Sequence, residues 1–147
     1  MAKGYSKETV GVLDGSVPEK IADGRVLGGR VRAFTATFDL SETTVKRANG
    51  DSNVCFRIPA GHKVLYGLLL ASVTMGASAT IAIGNATTPA KYRAAATHTA
   101  TTPTLFMLSS ALDDDPLAAA EDVIITIGAA DLPSSGILQV VMLTSAR

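Results

Sequence analysis

Few residues of this 147-residue chain have both the chemistry and the spacing that a catalytic site needs. The two histidines, His62 and His98, have no acidic partner or second ligand at a useful spacing, so we expect both to be solvated loop side chains. Cys55 precedes Arg57 by two residues, and that charge could lower the pKa of the thiol, but no histidine accompanies it. We therefore expect a structural thiol and no enzyme activity.

The sequence offers equally little for a metal or a cofactor. The run Asp113, Asp114 and Asp115 lacks the spaced acidic ligands, the glycine and the distal glutamate of a calcium loop, so we expect a solvated acidic turn. The glycines at 24, 28 and 29 follow no hydrophobic strand and precede no Lys-Ser or Lys-Thr pair, as a phosphate loop requires. One cysteine can form neither an internal disulfide nor a Cys-rich zinc site. We expect no cofactor.

Composition excludes further classes. The 13 basic and 13 acidic side chains balance, whereas a nucleic-acid binder normally carries a clear basic excess. Residues 64–90 carry no charge and are long enough to cross a bilayer, but the run breaks at Met75, Gly76, Ala77 and Ser78, and residues 78–83 alternate in polarity. Two strands explain this stretch better than a membrane helix. No basic segment followed by an apolar one opens the chain, so we expect no secretory signal and assembly in the cytosol. The balanced charge and the interrupted apolar run predict neither a nucleic-acid partner nor a membrane partner.

Charge is uneven along the chain. Residues 1–98 hold twelve basic and seven acidic side chains, a net of +5, and residues 99–147 carry a net of −5. Strand pairing could bring the two segments together within one molecule, or the opposed charges could attract neighbouring subunits. Both interpretations stay open at this point.

Hydrophobic residues repeat with a period of two, which predicts strands. The clearest strands are 31–40, 53–58, 63–75, 78–84, 123–127 and 137–144, of which 63–75 is apolar on both faces and the last two read as central. Residues 105–110 favour another strand, and 91–97 and 116–122 favour single helical turns. The expected core consists of Phe34, Phe38, Val54, Phe56, Ile58, Leu68, Leu70, Ile125 and Val141.

About seven short strands with Gly, Pro, Asn and Asp between them predict an all-β fold, a single jelly-roll-like β-sandwich over residues 31–147. Residues 1–30 have glycine or proline every few positions and neither period, which predicts an extended N-terminal arm. The arm holds too many apolar groups to leave in water, so we expect it to be ordered on its own sandwich or on a neighbour. Its candidate contacts with a neighbouring subunit or another partner are Lys3, Tyr5, Lys7, Val10, Val12, Leu13 and Lys20.

Three short motifs in the middle of the chain occur in this order: Ile-Pro-Ala-Gly at 58–61, Ile-Ala-Ile-Gly at 81–84 and Tyr-Arg-Ala at 92–94. In this respect the sequence resembles small structural virion proteins of tailed bacteriophages, of the head decoration or cement type. The resemblance implies a compact sandwich that binds the outside of the assembled head and bridges capsomers. It further implies synthesis in the host cytoplasm, the major capsid protein as a partner, and a small symmetric oligomer, with a homotrimer favoured.

A head-fibre base or host-attachment module would share the sandwich but bind a glycan or a surface protein. Exposed aromatic side chains in the loops would favour that alternative. Outside the predicted core strands the chain has only Tyr5 and Tyr92, so decoration is the preferred hypothesis.

Overall fold

The computed structural model describes residues 30–106 and 115–146. These residues form eight strands and no helix. The strands are β1 Arg30–Asp39, β2 Ser52–Ile58, β3 Lys63–Ala71, β4 Thr80–Gly84, β5 Arg93–Thr97, β6 Thr104–Phe106, β7 Glu121–Gly128 and β8 Ile137–Ala146.

The strands form two four-stranded antiparallel sheets, in the orders β1-β8-β3-β6 and β2-β7-β4-β5. A single buried cluster draws side chains from both sheets, among them Leu69 and Met142 from the first and Ile83 and Ile125 from the second. The prediction of an all-β, sandwich-like fold is therefore confirmed for the described residues. The central positions expected for the last two predicted strands are confirmed as well, since β7 and β8 each pair on both sides.

β1 forms where the sequence alternates most regularly. Phe34, Ala36 and Phe38 are half-buried on the inner face, Leu40 just beyond the strand is fully buried, and the intervening threonines are exposed. The predicted facing of this strand is therefore right. All ten residues pair with β8, from Arg30 opposite Ala146 to Asp39 opposite Ile137.

The predicted facing of β2 is wrong at its start. The register against β7 shifts between Val54 and Phe56, so one extra residue stands in β2 at that point. A bulge reverses the side-chain alternation on one side of it. As a result Val54, expected in the core, is 63% exposed, whereas Cys55, expected outside, is half-buried against the core. Ile58 beyond the bulge is fully buried, as predicted.

Three more expected core residues lie on the opposite face of the first sheet. Leu69 of β3 and Val140 of β8 are fully buried, and their neighbours Leu68, Leu70 and Val141 are only half-buried on the outer face. In a strand that is apolar on both faces, period two cannot show which face is inner. Within the described residues, the inner face of β3 is thus fully buried and its outer face is partly exposed.

The two predicted helical turns are also wrong. Residues 93–97 form β5, paired with β4, and residues 116–120 are irregular before β7 begins at Glu121. Runs of alanine favour helix locally, but the neighbouring strand offers main-chain partners that a single turn cannot match. The predicted strand 105–110 overlaps β6, and its remainder lies outside the described residues.

Glycines close two of the predicted turns. Gly50 and Gly61 have φ angles of 91° and 80°, in the left-handed region that glycine adopts without steric cost. At the first turn the Asp51 carboxylate also accepts a hydrogen bond of 2.9 Å from the main-chain N–H of Ala48. Main-chain hydrogen bonds in both directions between Gly61 or His62 and Leu117 tie the second turn to the segment before β7.

Candidate interaction surfaces and buried polar clusters

The predicted contact residues of the arm lie outside the described residues. Lys3, Tyr5, Lys7, Val10, Val12, Leu13 and Lys20 all belong to residues 1–29, and β1 begins at Arg30. Of the acidic run, Asp113 and Asp114 also lie outside, whereas Asp115 is described and exposed. The polar groups that can be described therefore belong to the sandwich.

His62 is buried, which corrects the prediction of a solvated loop side chain. It lies in the turn before β3 with 5% of its surface exposed, and its ring packs edge-on against Phe34 with centroids 5.8 Å apart. Nδ1 shares a hydrogen bond of 2.8 Å with the hydroxyl of Thr144 on β8. Burial lowers the pKa of His62, and the positive charge of Arg32 lowers it further. Both effects favour the neutral ring, and the bond to Thr144 supports the fold.

His98 is buried too, against expectation. It follows β5, is 2% exposed, and its Nδ1 shares a hydrogen bond of 3.1 Å with Thr104 at the start of β6. Its Nε2 is buried and has no hydrogen-bond partner among the described residues. The pKa of His98 is lowered by burial and then by the charge of Arg93. Like His62, this histidine joins a connecting segment to a strand through a threonine hydroxyl.

Arg93, at the start of β5, is a buried cation whose role sequence reasoning missed. Its guanidinium donates hydrogen bonds to the main-chain carbonyls of Ile81, Ala96 and Thr97. The bond to Ile81 joins β5 to β4 next to the irregular register between Ile81 and Ile83, and the other two bonds lie within β5. The Tyr-Arg-Ala motif singled out this residue, and the contacts show that the arginine serves the architecture of a sheet edge.

Glu121 is the centre of a second polar cluster. Its carboxylate accepts hydrogen bonds from Asn85 Nδ2 at 2.9 Å, from Lys91 Nζ at 2.6 Å and from the Tyr92 hydroxyl. Its side chain is only 15% exposed. Burial raises the pKa of this carboxyl, but the hydrogen bonds from Lys91, Tyr92 and Asn85 outweigh it, and the net shift is downward. The cluster fastens the β4–β5 connection to the start of β7.

The same cluster corrects the picture of Tyr92 as an aromatic residue outside the core. Tyr92 is 1% exposed and belongs to the buried cluster, with only its hydroxyl reaching Glu121. An open depression of about 500 Å³ lies beside these residues, lined by Asn85, Lys91 and the alanines at 118–120 among others. Its charged groups are already paired, so it offers no unpaired charge to a ligand.

Ion pairs among the described residues connect the basic and acidic halves of the sequence. Arg57 of β2 forms a bidentate pair with Asp122 of β7 at 2.6 and 2.7 Å, and Lys91 pairs with Glu121. Strand pairing thus brings opposite charges together within one molecule.

The Cys55 thiol lies on the inner side of β2, where burial raises its pKa to about 12. The nearby arginine therefore does not activate it.

Among the residues that the structure describes, no three or more His, Cys, Asp or Glu side chains cluster in a way that could hold a metal ion. Over the same residues, no helix exists that could span a membrane.

The fold has relatives among solved structures. A chain in the capsid of Ralstonia phage GP4 superposes with a TM-score of 0.61 at 16% identity, covering 81% of this chain and 86% of that chain. A chain in the capsid asymmetric unit of cyanophage Pam1 gives a TM-score of 0.64 at 17% identity, covering 92% and 99% respectively. Neither a protein-family model nor a curated protein matches the sequence. At these identities the likeness is one of fold, extending over most of both phage chains.

Proposed function

We propose that this protein is a structural component of a tailed-phage particle, a decoration or cement protein that binds the outside of the head and bridges capsomers. The observation that carries the proposal is the shared fold, which covers 81% and 92% of this chain in two structures of phage capsids. The two phage chains are themselves covered to 86% and 99%, so each is of similar size to this one. The motifs at 58–61, 81–84 and 92–94 favour the same function from the sequence side.

The strand order supports a jelly-roll assignment. Eight antiparallel strands in two sheets, ordered β1-β8-β3-β6 and β2-β7-β4-β5, fit a double-sheet fold of this type. The first four strands alternate between the two sheets along the chain. Such a rigid sandwich can present the same surface in every copy on a symmetric shell.

We also propose that the protein is not an enzyme. The described side chains that could take part in catalysis make structural hydrogen bonds instead. His62 and His98 are buried and bond threonine hydroxyls, and the Glu121 carboxylate accepts hydrogen bonds from three donors. Cys55 is held in the thiol form by burial. In the described residues these contacts leave no activated nucleophile beside a base.

The partners in this proposal are the major capsid protein and further copies of this chain, with a homotrimer favoured. Residues 1–29 are proposed as the attachment arm, because their apolar groups exceed what a closed sandwich needs. An extended segment can add to a strand edge of a partner while Val10, Val12 and Leu13 occupy shallow pockets and Lys3, Lys7 and Lys20 meet acidic groups.

Binding to heads tests the function directly. Heads assembled without this protein would be mixed with the purified full chain, sedimented, and imaged by cryo-electron microscopy. We expect saturable binding, with density at regular positions on the outer surface. If the chain does not bind heads but does bind glycans on an array, it is a host-attachment module, and the decoration proposal is wrong.

A further inference from the structure

The outer face of the β1-β8-β3-β6 sheet, hereafter the outer face, is unusually apolar for a surface. Its middle is formed by Tyr66, Leu68 and Leu70 of β3, Val141 and Leu143 of β8, and Leu105 of β6. Tyr66 is 40% exposed and Leu105 58% exposed, and the other four are half-buried. Tyr66 stands opposite Leu143, and Leu68 stands between Val141 and Leu105, so these side chains form one continuous patch.

The polar side chains in the middle of this face are few and uncharged. Thr35 and Thr37 of β1 flank the apolar patch, and the Gln139 amide donates a hydrogen bond of 3.0 Å to the Thr37 hydroxyl. On the described strands of this face, charged side chains occur only near the strand ends, at Asp39 and Lys63. Covering the middle of the face would therefore leave no buried charge without a partner, which is the main cost of burying a surface.

The other sheet shows that this is not a general property of the protein. Its outer face carries the exposed Arg57–Asp122 ion pair between β2 and β7, with side chains 68% and 44% exposed. Its apolar pair Val54 and Ile124 is enclosed between that ion pair and the polar pair Ser52 and Thr126, although Val54 is 63% exposed. Only one of the two described sheets thus resembles half of a sheet-to-sheet interface.

The size of the outer face is sufficient for association. Three strands about 30 Å long and one short strand, spaced about 4.8 Å apart, cover about 500 Å². Two such faces in contact would bury about 1,000 Å², the area at which specific protein interfaces begin. A twisted sheet packs best against a second sheet of the same twist, and another copy of this chain supplies one with the same lack of charge.

We propose that the outer face is the surface through which copies of this chain associate. This inference rests on the homo-oligomer of the proposed function and names its interface. Two faces can pack together across a twofold axis, or three can surround a threefold axis. A shallow depression of about 260 Å³ at the Ile137 end of the face, lined by Leu70 and Gln139 among others, gives room for side chains of a neighbouring copy.

The test compares the effect on association of charges placed on the outer face with that of a charge placed on the exposed face of the other sheet. Tyr66→Asp with Leu105→Asp places two charges on the proposed interface, and Val54→Asp places one on the other sheet at a similarly exposed aliphatic position. By sedimentation at micromolar concentration, the full chain and Val54→Asp should be oligomers, and the double variant should sediment as a monomer of 15.1 kDa. An oligomeric double variant with unchanged affinity, or a monomeric full chain, would overturn the proposal.

A second measurement does not depend on destabilising the protein. Thr35→Cys puts a thiol on the exposed part of the outer face, and Val54→Cys puts one on the other sheet. We expect labelling at position 35 to slow at least tenfold as the protein concentration rises through the association range, and labelling at position 54 to stay constant. Equal rates at both positions would also overturn the proposal. Since neither measurement uses heads, a failure here leaves the head-binding experiment as an independent test of the proposed function.

Discussion

His62 and Thr144, 82 residues apart in the chain, share a buried hydrogen bond of 2.8 Å between Nδ1 and Oγ1. His98 makes the corresponding contact with Thr104 at 3.1 Å. Both rings are nearly excluded from water, so both are suited to the neutral form. The two histidines of the chain therefore connect its stability to pH.

We expect the free energy of unfolding to fall as the pH drops below about 6.5, the pKa of histidine in an unfolded chain. Burial, with Arg32 or Arg93 nearby, places the folded-state pKa of each histidine below that value. The unfolded chain thus binds more protons in this range, and its free energy falls relative to the folded state. Above about pH 6.5 the histidine contribution is complete.

Urea denaturation at about pH 7.5 and about pH 5.5 checks this pH dependence. The variant with both His62→Gln and His98→Gln should lose less stability between the two conditions, because glutamine does not titrate. The carboxyl of Glu121, whose pKa is lowered, titrates in a more acidic range, so it does not contribute to the stability difference between these two pH values. A full chain equally stable at both pH values would contradict the prediction.

Glu121→Gln should destabilise the protein by about 1–3 kcal/mol, because it removes the charge that binds Lys91 and weakens the hydrogen bonds from Tyr92 and Asn85. The adjacent Asp122→Asn is the matched control, since it breaks an exposed ion pair with Arg57. Exposed pairs add little to stability, so the control should remain close to the parent protein. Equal denaturation midpoints for the two variants would show that the Glu121 cluster stabilises the protein no more than the exposed ion pair does.

Gly67→Ala should destabilise the sandwich, because an added Cβ would collide with the ring of Phe106 on the neighbouring strand. Overpacking of this kind typically costs about 1–3 kcal/mol. The size of the aromatic ring is the cause, so adding Gly67→Ala to a Phe106→Leu background should cost clearly less. The four thermal melts form a double-mutant cycle, and additive effects would show that the collision is relieved elsewhere.

Cys55 should react slowly with a thiol reagent at about pH 8, because its pKa of about 12 leaves almost no thiolate. The reaction should become complete and fast when the protein is unfolded in guanidinium chloride. A Val54→Cys, Cys55→Ala variant provides the exposed control one residue away and should react at once in the folded state. Fast labelling of native Cys55 would mean that β2 opens far more easily than the bulge geometry indicates.

A chain that starts at Arg30 should remain folded but lose most of its binding to heads, if residues 1–29 are the attachment arm. The eight strands and their shared core lie within the described residues, so the melting temperature should change little. A milder variant, Val10→Asp with Val12→Asp, should weaken binding in the same direction. Undiminished decoration by both variants would move attachment to the sandwich, and loss of folding would make the arm part of the core.

The sequence by itself determined where most strands and turns lie. The alternation of Phe34, Ala36 and Phe38 specified β1 and its inner face, and the turns at Gly50 and Gly61 are local because a left-handed φ at one residue is a local requirement. The absence of a helical period was likewise readable, and the described residues contain no helix. These features depend on neighbours within a few positions along the chain.

Only the tertiary structure decided which groups are buried and what they contact. The bulge in β2 exchanged the environments of Val54 and Cys55, and strand pairing turned the alanine-rich segment 93–97 into β5. His62 is buried because Thr144, far along the chain, offers it a hydrogen bond, and Glu121 is charged in a largely buried place because three donors converge there. Such partners come from residues 29 to 82 positions away, and no local period encodes which distant strand will pair with which.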